Sequence, residues 1–328
     1  MSLQADPKRR VLCAGLIVAD HLCSPIDHVP SPGELVLSDE LVLAVGGGAA
    51  NAAVDLARLE IPVEICGKVG DDVFGQFARE TLKLSGVDTR GIQIDPRHAT
   101  SQTLIVNVQN EDRRFIHSMG ANGAFTIDDL DAALAHQPPP AVLYIGYLLI
   151  LPRLDIRALA ERFQSLRAAG TFTVVDVACP GPGNYLPDLE IILPHTDVFL
   201  PNHDEAKLIL GLGDPYQQAR AFRDMGAQRV VITMGAQGSL SSSADWNVRL
   251  GAYPIPFVDG SGGGDAFDAG YIAGHLWGRD EYGCLQVASA LGASAVRAVG
   301  TTAGVFNRAE LDDFLQRHSL MTCQIDDH

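Results

Sequence analysis

Between residues 141 and 235 four apolar runs, "AVLYIGYLL", "TFTVVDVA", "TDVFLPN" and "RVVITMG", are separated by helical patterns near 153–169, 203–211 and 215–226. Strands that are apolar at nearly every position have no solvent face, so both of their sides must be covered. Helices alternating with such strands supply that cover by crossing back to a parallel neighbour. The expected fold is therefore α/β: three layers, with a central, mostly parallel sheet between two layers of helix. Upstream, "RRVLCAGLIVAD" reads as a buried strand ending near Asp20, "AANAAVDLARLE" as a helix and "IPVEICGKVG" as another strand. "DDVFGQFARETLKLSG" is a helix with acids in its first turn and a glycine stop. Helices over 265–278, 281–299 and about 308–318 close the chain.

Two segments break this rhythm. "GELVLSDELVLAVGGG" reads as strand, turn and strand, and 100–117 as a β-hairpin around the polar turn "NEDR". These segments are expected to form a small sheet that covers a site on the main domain. The division is a core of 1–16, 46–97 and 119–328, with a β lid of 17–45 and 98–118.

The 328 residues suffice for one large α/β domain or a core with a smaller appendage. With 24 Lys and Arg against 40 Asp and Glu, the net charge is −16, which on average repels nucleic acid and anionic membranes. No apolar run reaches the roughly 18 residues of a membrane helix, and the start carries no secretory pattern. Six scattered cysteines without CxxC argue against a zinc ribbon or disulfide framework. A soluble cytoplasmic protein is expected.

The chemistry concentrates in "FVDGSGGGDAFDAGYIAGHLWG", residues 257–278. Glycines immediately before a helix let backbone amides converge on an anion, and the helix adds about half a positive charge. Gly262, Gly263 and Gly264 are the candidate donors. Asp265 would repel a phosphate that was merely bound. It fits a base that takes a proton from an acceptor hydroxyl while the amides hold a migrating phosphoryl group. The plainer reading makes Asp265 an N-terminal helix acid beside a flexible turn. A Rossmann pyrophosphate loop fits poorly so late in the chain, and no GxxxxGK[ST] occurs.

"DGSGGGDAFDAGYIAG" resembles the C-terminal signature of the ribokinase-like (PfkB) carbohydrate kinases, D-T-x-G-A-G-D-x-F-x-A-G. Asp259, Gly262, Gly264, Asp265, Phe267, Ala269 and Gly270 match, while Gly260 stands for threonine and Gly263 for alanine. "VGGGAANAAVDLARLE" resembles the family's N-terminal signature through Gly46, Gly47, Gly48, Asn51 and Ala53. "GKVGDDVFG" is a further close match. The resemblance spans about 11 to 318.

What the resemblance implies is a ribokinase-like fold and an ATP- and magnesium-dependent kinase acting on a hydroxyl of a small sugar. It places Asp20, Gly47, Gly48 and Asn51 against substrate hydroxyls, and Asp265 and the glycines at the transferred phosphoryl group. Asn202 of "PNHDE", Thr233, Gly235 and Gly238 of "TMGAQGS", and Ser289 fall on the nucleotide side. Glu205 would hold magnesium, through water. Asp259, Ser261 and Gly300 would hold a monovalent cation such as potassium. A homodimer through the β lid is implied in the same way. Arg113 and Arg114, at the hairpin turn, have two readings: they reach phosphate from the lid, or, the preferred one, they form a solvated turn that keeps a sheet edge soluble. No basic cluster marks the N-terminal signature, which favours an unphosphorylated acceptor. A nucleoside kinase would share every motif and differ in the apolar surface that the lid offers to a base. A silent sugar or nucleotide sensor on the same fold is the non-enzyme alternative.

Overall fold

In the computed structural model, which describes residues 10–109, 111, 113–320 and 322–324, strand β1 (Val11–Gly15) pairs in parallel on both sides. One neighbour is β4 (Val63–Gly70), flanked in turn by β5 (Asp88–Asp95). The other is β8 (Val142–Gly146), followed outward by β9 (Phe172–Val175), β10 (Val198–Phe199) and β11 (Arg229–Thr233), all parallel. Antiparallel strands β12 (Ser239–Ser243), β13 (Asn247–Leu250) and β14 (Thr322–Gln324) complete a sheet of ten among the described residues.

Alternation along β1 builds two cores. Val11 and Cys13 join one hydrophobic cluster, and Leu12 and Ala14 the other. The first cluster takes in helices α1 (Gly48–Arg58), α2 (Val73–Leu84), α8 (Gly263–Leu276), α9 (Glu281–Ala295) and α10 (Arg308–Arg317). The second takes in α3 (Ile127–Ala135), α4 (Ile156–Ala168), α5 (Leu186–Ile192), α6 (His203–Leu210) and α7 (Pro215–Asp224). The expected sandwich of helix, sheet and helix is thus observed.

A separate four-stranded sheet has the order β3 (Leu41–Gly46), β2 (Val18–Cys23), β6 (Gln102–Val106) and β7 (Arg114–Ser118). Its β2–β6 pair is parallel and its outer pairs antiparallel. The 100–117 hairpin is present, although Asn110 and Asp112 of its turn lie outside the described residues.

Three expectations change. The first strand does not run unbroken to Asp20. It stops at Gly15, whose φ of +139° and approach to the Gly146 carbonyl (2.5 Å from an added Cβ) let the chain leave the large sheet for the small one. The "GELVL" stretch forms no strand, although among the described residues the outer edge of β3 is open, and Leu35 and Leu37 stand 80% and 84% exposed. The helix expected over 281–299 ends at Ala295. Strands β5, β12, β13 and β14 and helices α3 and α5 were not anticipated from the pattern.

Candidate active site

The order of β1, β4 and β8 reverses the direction of winding, and ligands of open α/β sheets bind beyond the carboxyl ends of strands at such a point. A cleft of about 910 Å³ lies there. Leu16 follows β1, Tyr147 follows β8, Asp176 follows β9, Asn202 follows β10 and Thr233 ends β11, and all line it. The small sheet contributes Asp20, Thr103, Ile105, Phe115 and His117 from the opposite side.

Helix α8 enters this cleft with its N-terminus. Gly262, its N-cap, has φ +73°, and an added Cβ would stand 2.0 Å from the Thr301 carbonyl oxygen. Only glycine fits that turn without strain. Gly264, by contrast, has open space where a side chain would project. Among the described residues, the peptide nitrogens of 262–265 make no well-aligned hydrogen bond to a protein acceptor beyond the turn at 261–262, so the first turn of α8 has amides left for a ligand.

Asp265 sits in the first turn of α8, is 2% exposed, and lines the cleft. Its Oδ2 accepts from Asn51 Nδ2 at 2.7 Å and from the Tyr147 hydroxyl at 3.1 Å. Its Oδ1 is buried without a partner, as is the Asn51 amide oxygen. Burial pushes the Asp265 carboxyl up to about 6; the Asn51 and Tyr147 bonds pull it down, and the Asp20 charge pushes it further up. Asn51, expected on substrate hydroxyls alone, therefore also positions the acid. Tyr147, in the left-handed region at φ 59°, belongs to the "YIGYLL" stretch that the sequence places near the acceptor, but its bond to Asp265 is not legible there.

The three glycines of the N-terminal signature serve three packing needs. A Cβ at Gly46 would lie 1.8 Å from Asp20 Oδ2, one at Gly47 2.5 Å from the Leu16 carbonyl, and one at Gly48 2.7 Å from the Tyr147 ring. Gly47 lines the cleft, but Gly48 is a seat for Tyr147, not a cleft residue. Asp20, on β2, is buried, and its carboxyl is raised to about 6 by that burial, against the pull of a Thr103 hydrogen bond and the His21 charge.

Of the residues expected to meet a nucleotide, Asn202 and Thr233 line the cleft and are bridged to each other. Asn202 caps α6: Glu205 N donates to Asn202 Oδ1 at 2.8 Å, and Asn202 N donates to Glu205 Oε2 at 3.0 Å. Gly235 and Gly238 are not cleft-lining residues. Gly238 is needed because an added Cβ would stand 1.9 Å from the Leu250 carbonyl oxygen, so its close approach is to the protein's own backbone. Ser289 is buried on α9, away from the cleft lining, where the preceding Ala288 packs on Gly270 of α8.

Negative charge is in excess. Asp176 and Asp268, both buried, are held well above the ordinary carboxylate range by desolvation and by their acidic neighbours. Glu205 is raised to about 7, first by burial, although its bond from the Asn202 amide pulls the other way. Such a wall fits a divalent cation. Among the described residues no three His, Cys, Asp or Glu side chains converge as a cage. The residues therefore suit magnesium, which keeps most of its waters and shares phosphate oxygens.

The expected monovalent-cation site is occupied by the protein itself. Asp259 Oδ1 accepts from Ser261 N and Ser261 Oγ, each at 3.0 Å, and Oδ2 accepts from Gly300 N at 3.0 Å. Arg113 Nη1 adds a bond to Asp259 Oδ1 at 2.9 Å and another to the Ser261 hydroxyl. Arg113 is thus no solvated turn residue: its reach across the cleft ends on a buried carboxylate. Arg114 does behave as expected, paired with Glu111 on the exposed turn.

Residues 8–307 match the model of the pfkB family carbohydrate kinases. The chain belongs to that family. It is a phosphotransferase with an alcohol acceptor. It is 27% identical to the ribokinase of Staphylococcus aureus over 76% of this chain and 80% of the relative. Against the aminoimidazole riboside kinase of Salmonella typhimurium the identity is 28%, over 84% and 89% of the two chains. A structure of a putative ribokinase II from E. coli, in complex with ATP and Mg2+, superposes with a TM-score of 0.79 at 26% identity, covering 94% of this chain and all of that one. The ribokinase-like fold is therefore established for this chain, and among its described residues no helix is long and apolar enough to cross a membrane.

Proposed function

We propose that this kinase transfers the γ-phosphoryl group of ATP to a hydroxyl of a small sugar, with Asp265 as general base. The observation that carries this reading is the state of Asp265: one carboxylate oxygen is held by Asn51 and Tyr147, and the other is buried, bare and beside the unpaired amides of α8. The two bonds to Oδ2 fix the plane of the carboxylate and leave Oδ1 for the incoming hydroxyl. As the acceptor oxygen bonds to the γ-phosphorus, its proton passes to Asp265, the bridging O–P bond breaks and ADP leaves. The amides of Gly262, Gly263 and Gly264 hold charge that develops on the phosphoryl oxygens. Magnesium, near Glu205 and through water, would neutralise the polyphosphate. Asp20 and the amide oxygen of Asn51, which line the cleft, would take other hydroxyls of the acceptor.

One observation favours a second reading, a nucleoside acceptor. Ile105, Phe115, Met119, Leu149, Ile150 and Pro152 all line the cleft, an apolar surface that a base could cover. The same lid strands turn Leu43, Leu104 and Ile116 outward, and we propose that this face meets a second copy of the chain. Sedimentation at micromolar concentration tests it; a monomer would end that proposal. Incubation with ATP, magnesium and a panel of sugars and ribosides, reading ADP release, tests the function. Turnover of ribosides alone would replace the sugar reading, and no turnover of any acceptor would support a silent sensor.

A further inference from the structure

The turn Asp259–Ser261 carries a buried carboxylate directly ahead of the amides that would hold the phosphoryl group. A negative charge in that place opposes the one arriving, so it needs a permanent counter-charge. The structure supplies one from the other side of the cleft. Arg113 precedes β7 at the tip of the lid and bonds both Asp259 and Ser261, with its side chain only 23% exposed. Gly260 leaves room for it: a Cβ there would lie 3.2 Å from Arg113 Nη2, a contact the guanidinium could relieve by a small shift, whereas a branched side chain such as threonine would add to the crowding. The Phe115 ring, 5.6 Å from the guanidinium carbon, steadies it from within the lid.

We propose that Arg113 is a tethered cation, a positioning residue that neutralises the Asp259 turn when the lid lies over the cleft. Phosphoryl transfer then depends on a lid arginine and on no monovalent metal ion. The inference rests on the kinase reading above and adds regulation to it. Withdrawing the lid withdraws the charge, leaving Asp259 uncompensated beside the amides. The cradle is therefore least receptive when water has access to it, which suppresses transfer to water.

The test uses the full chain with ATP, magnesium and the acceptor turned over in the panel, in potassium chloride or in choline chloride of equal ionic strength. Wild-type turnover is expected to agree in the two salts within about twofold, because the guanidinium is always charged. Arg113→Ala should lose about 10- to 100-fold in kcat, with a smaller change in acceptor KM, and recover on adding guanidinium or potassium ions. Arg113→Lys should fall between, keeping charge without the fork. Gly260→Thr should reproduce the Arg113→Ala loss, and the double variant should be no worse than either single one. Thermal midpoints give a readout apart from activity: potassium should raise that of Arg113→Ala above its value in choline and leave the wild type unmoved. A wild type stimulated by potassium, an Arg113→Ala variant with wild-type kcat, or additive losses in the double variant would each overturn the proposal. If no acceptor is turned over, the kinase reading fails by itself, and the thermal midpoints still decide whether Arg113 replaces a metal ion.

Discussion

Asn51 Nδ2 donates to Asp265 Oδ2 at 2.7 Å, joining two glycine-rich motifs that stand 214 positions apart in the chain. Each motif opens a helix, α1 or α8, and the two helices pack together in one core. The bond makes the acid and its support a single unit whose geometry neither helix could set alone. Because Tyr147 bonds the same oxygen, Oδ1 is the oxygen that the proposed transfer would use.

Asp265→Asn should cost about 10²–10⁴ in kcat, the usual contribution of a positioned general base, while nucleotide binding is kept. The same variant should be more stable at pH 7.5. The wild-type carboxyl, raised from 3.8 to about 6, is buried in its charged form, and relieving that is worth on the order of 3 kcal/mol. Steady-state rates, nucleotide titration and thermal melts on one preparation check all three. A variant as active as wild type would remove Asp265 from the chemistry.

The pH dependence follows from the same burial. A base must be deprotonated, so kcat/KM should rise with pH through about 6, where both Asp265 and Asp20 titrate. Stability runs the other way. Both acids bind protons more readily folded than unfolded, so their contribution is full below pH 3.8 and is lost as pH rises through about 6. Tyr147→Phe takes one donor from the Asp265 carboxylate and should move the acidic limb of kcat/KM upward by about one pH unit. An unmoved limb would mean that the titrating group is not Asp265.

Much of this was legible because some chemistry is written in short contiguous motifs. Gly262, Asp265 and Asn51 belong to two such motifs, and the apolar strands near β8 to β11 announce a parallel sheet by having no polar face. What escaped depends on contacts between distant segments. The "YIGYLL" stretch reads as lying near the acceptor, but the αL turn that brings Tyr147 to Asp265 is not written in it, and nothing in the sequence names Asp259 as the partner of Arg113. Gly238 and Gly48 were over-read for the converse reason: glycine's close approach can be to the protein's own backbone or ring, and sequence does not say which. The serine-rich strand β12 lacks the apolar run that marks its neighbours, and so went unseen.

The glycines of α8 should separate by position. Gly262→Ala forces a side chain against Thr301 at φ +73°, and should cost about 1–3 kcal/mol of stability or more, with loss of turnover. Gly264→Ala meets no neighbour, so its melting should match wild type. Its methyl group would instead project from the amide cradle, and the expected loss is in kcat. Comparing melts with rates for the pair distinguishes fold from cradle. A Gly264→Ala enzyme with full activity would place the phosphoryl group elsewhere.

Glu205 carries two duties that one substitution can separate. Its Oε2 accepts the Asn202 amide in the capping box of α6, a task glutamine performs equally well. Its charge, held up to about 7 first by burial and then by the repulsion of Asp265 and Asp204, is what a divalent cation would relieve. Glu205→Gln keeps the cap and removes a buried charge, so it should melt no lower than wild type yet need about tenfold more magnesium for half-maximal rate. Glu205→Ala loses the cap as well and should cost about 1 kcal/mol of stability in addition. Titrating magnesium at fixed ATP reads the first effect and thermal melts read the second. If the glutamine variant melts early while its magnesium titration is unchanged, Glu205 is a helix cap and the cation is held by other groups, of which Asp176 and Asp268 are the nearest in chemistry.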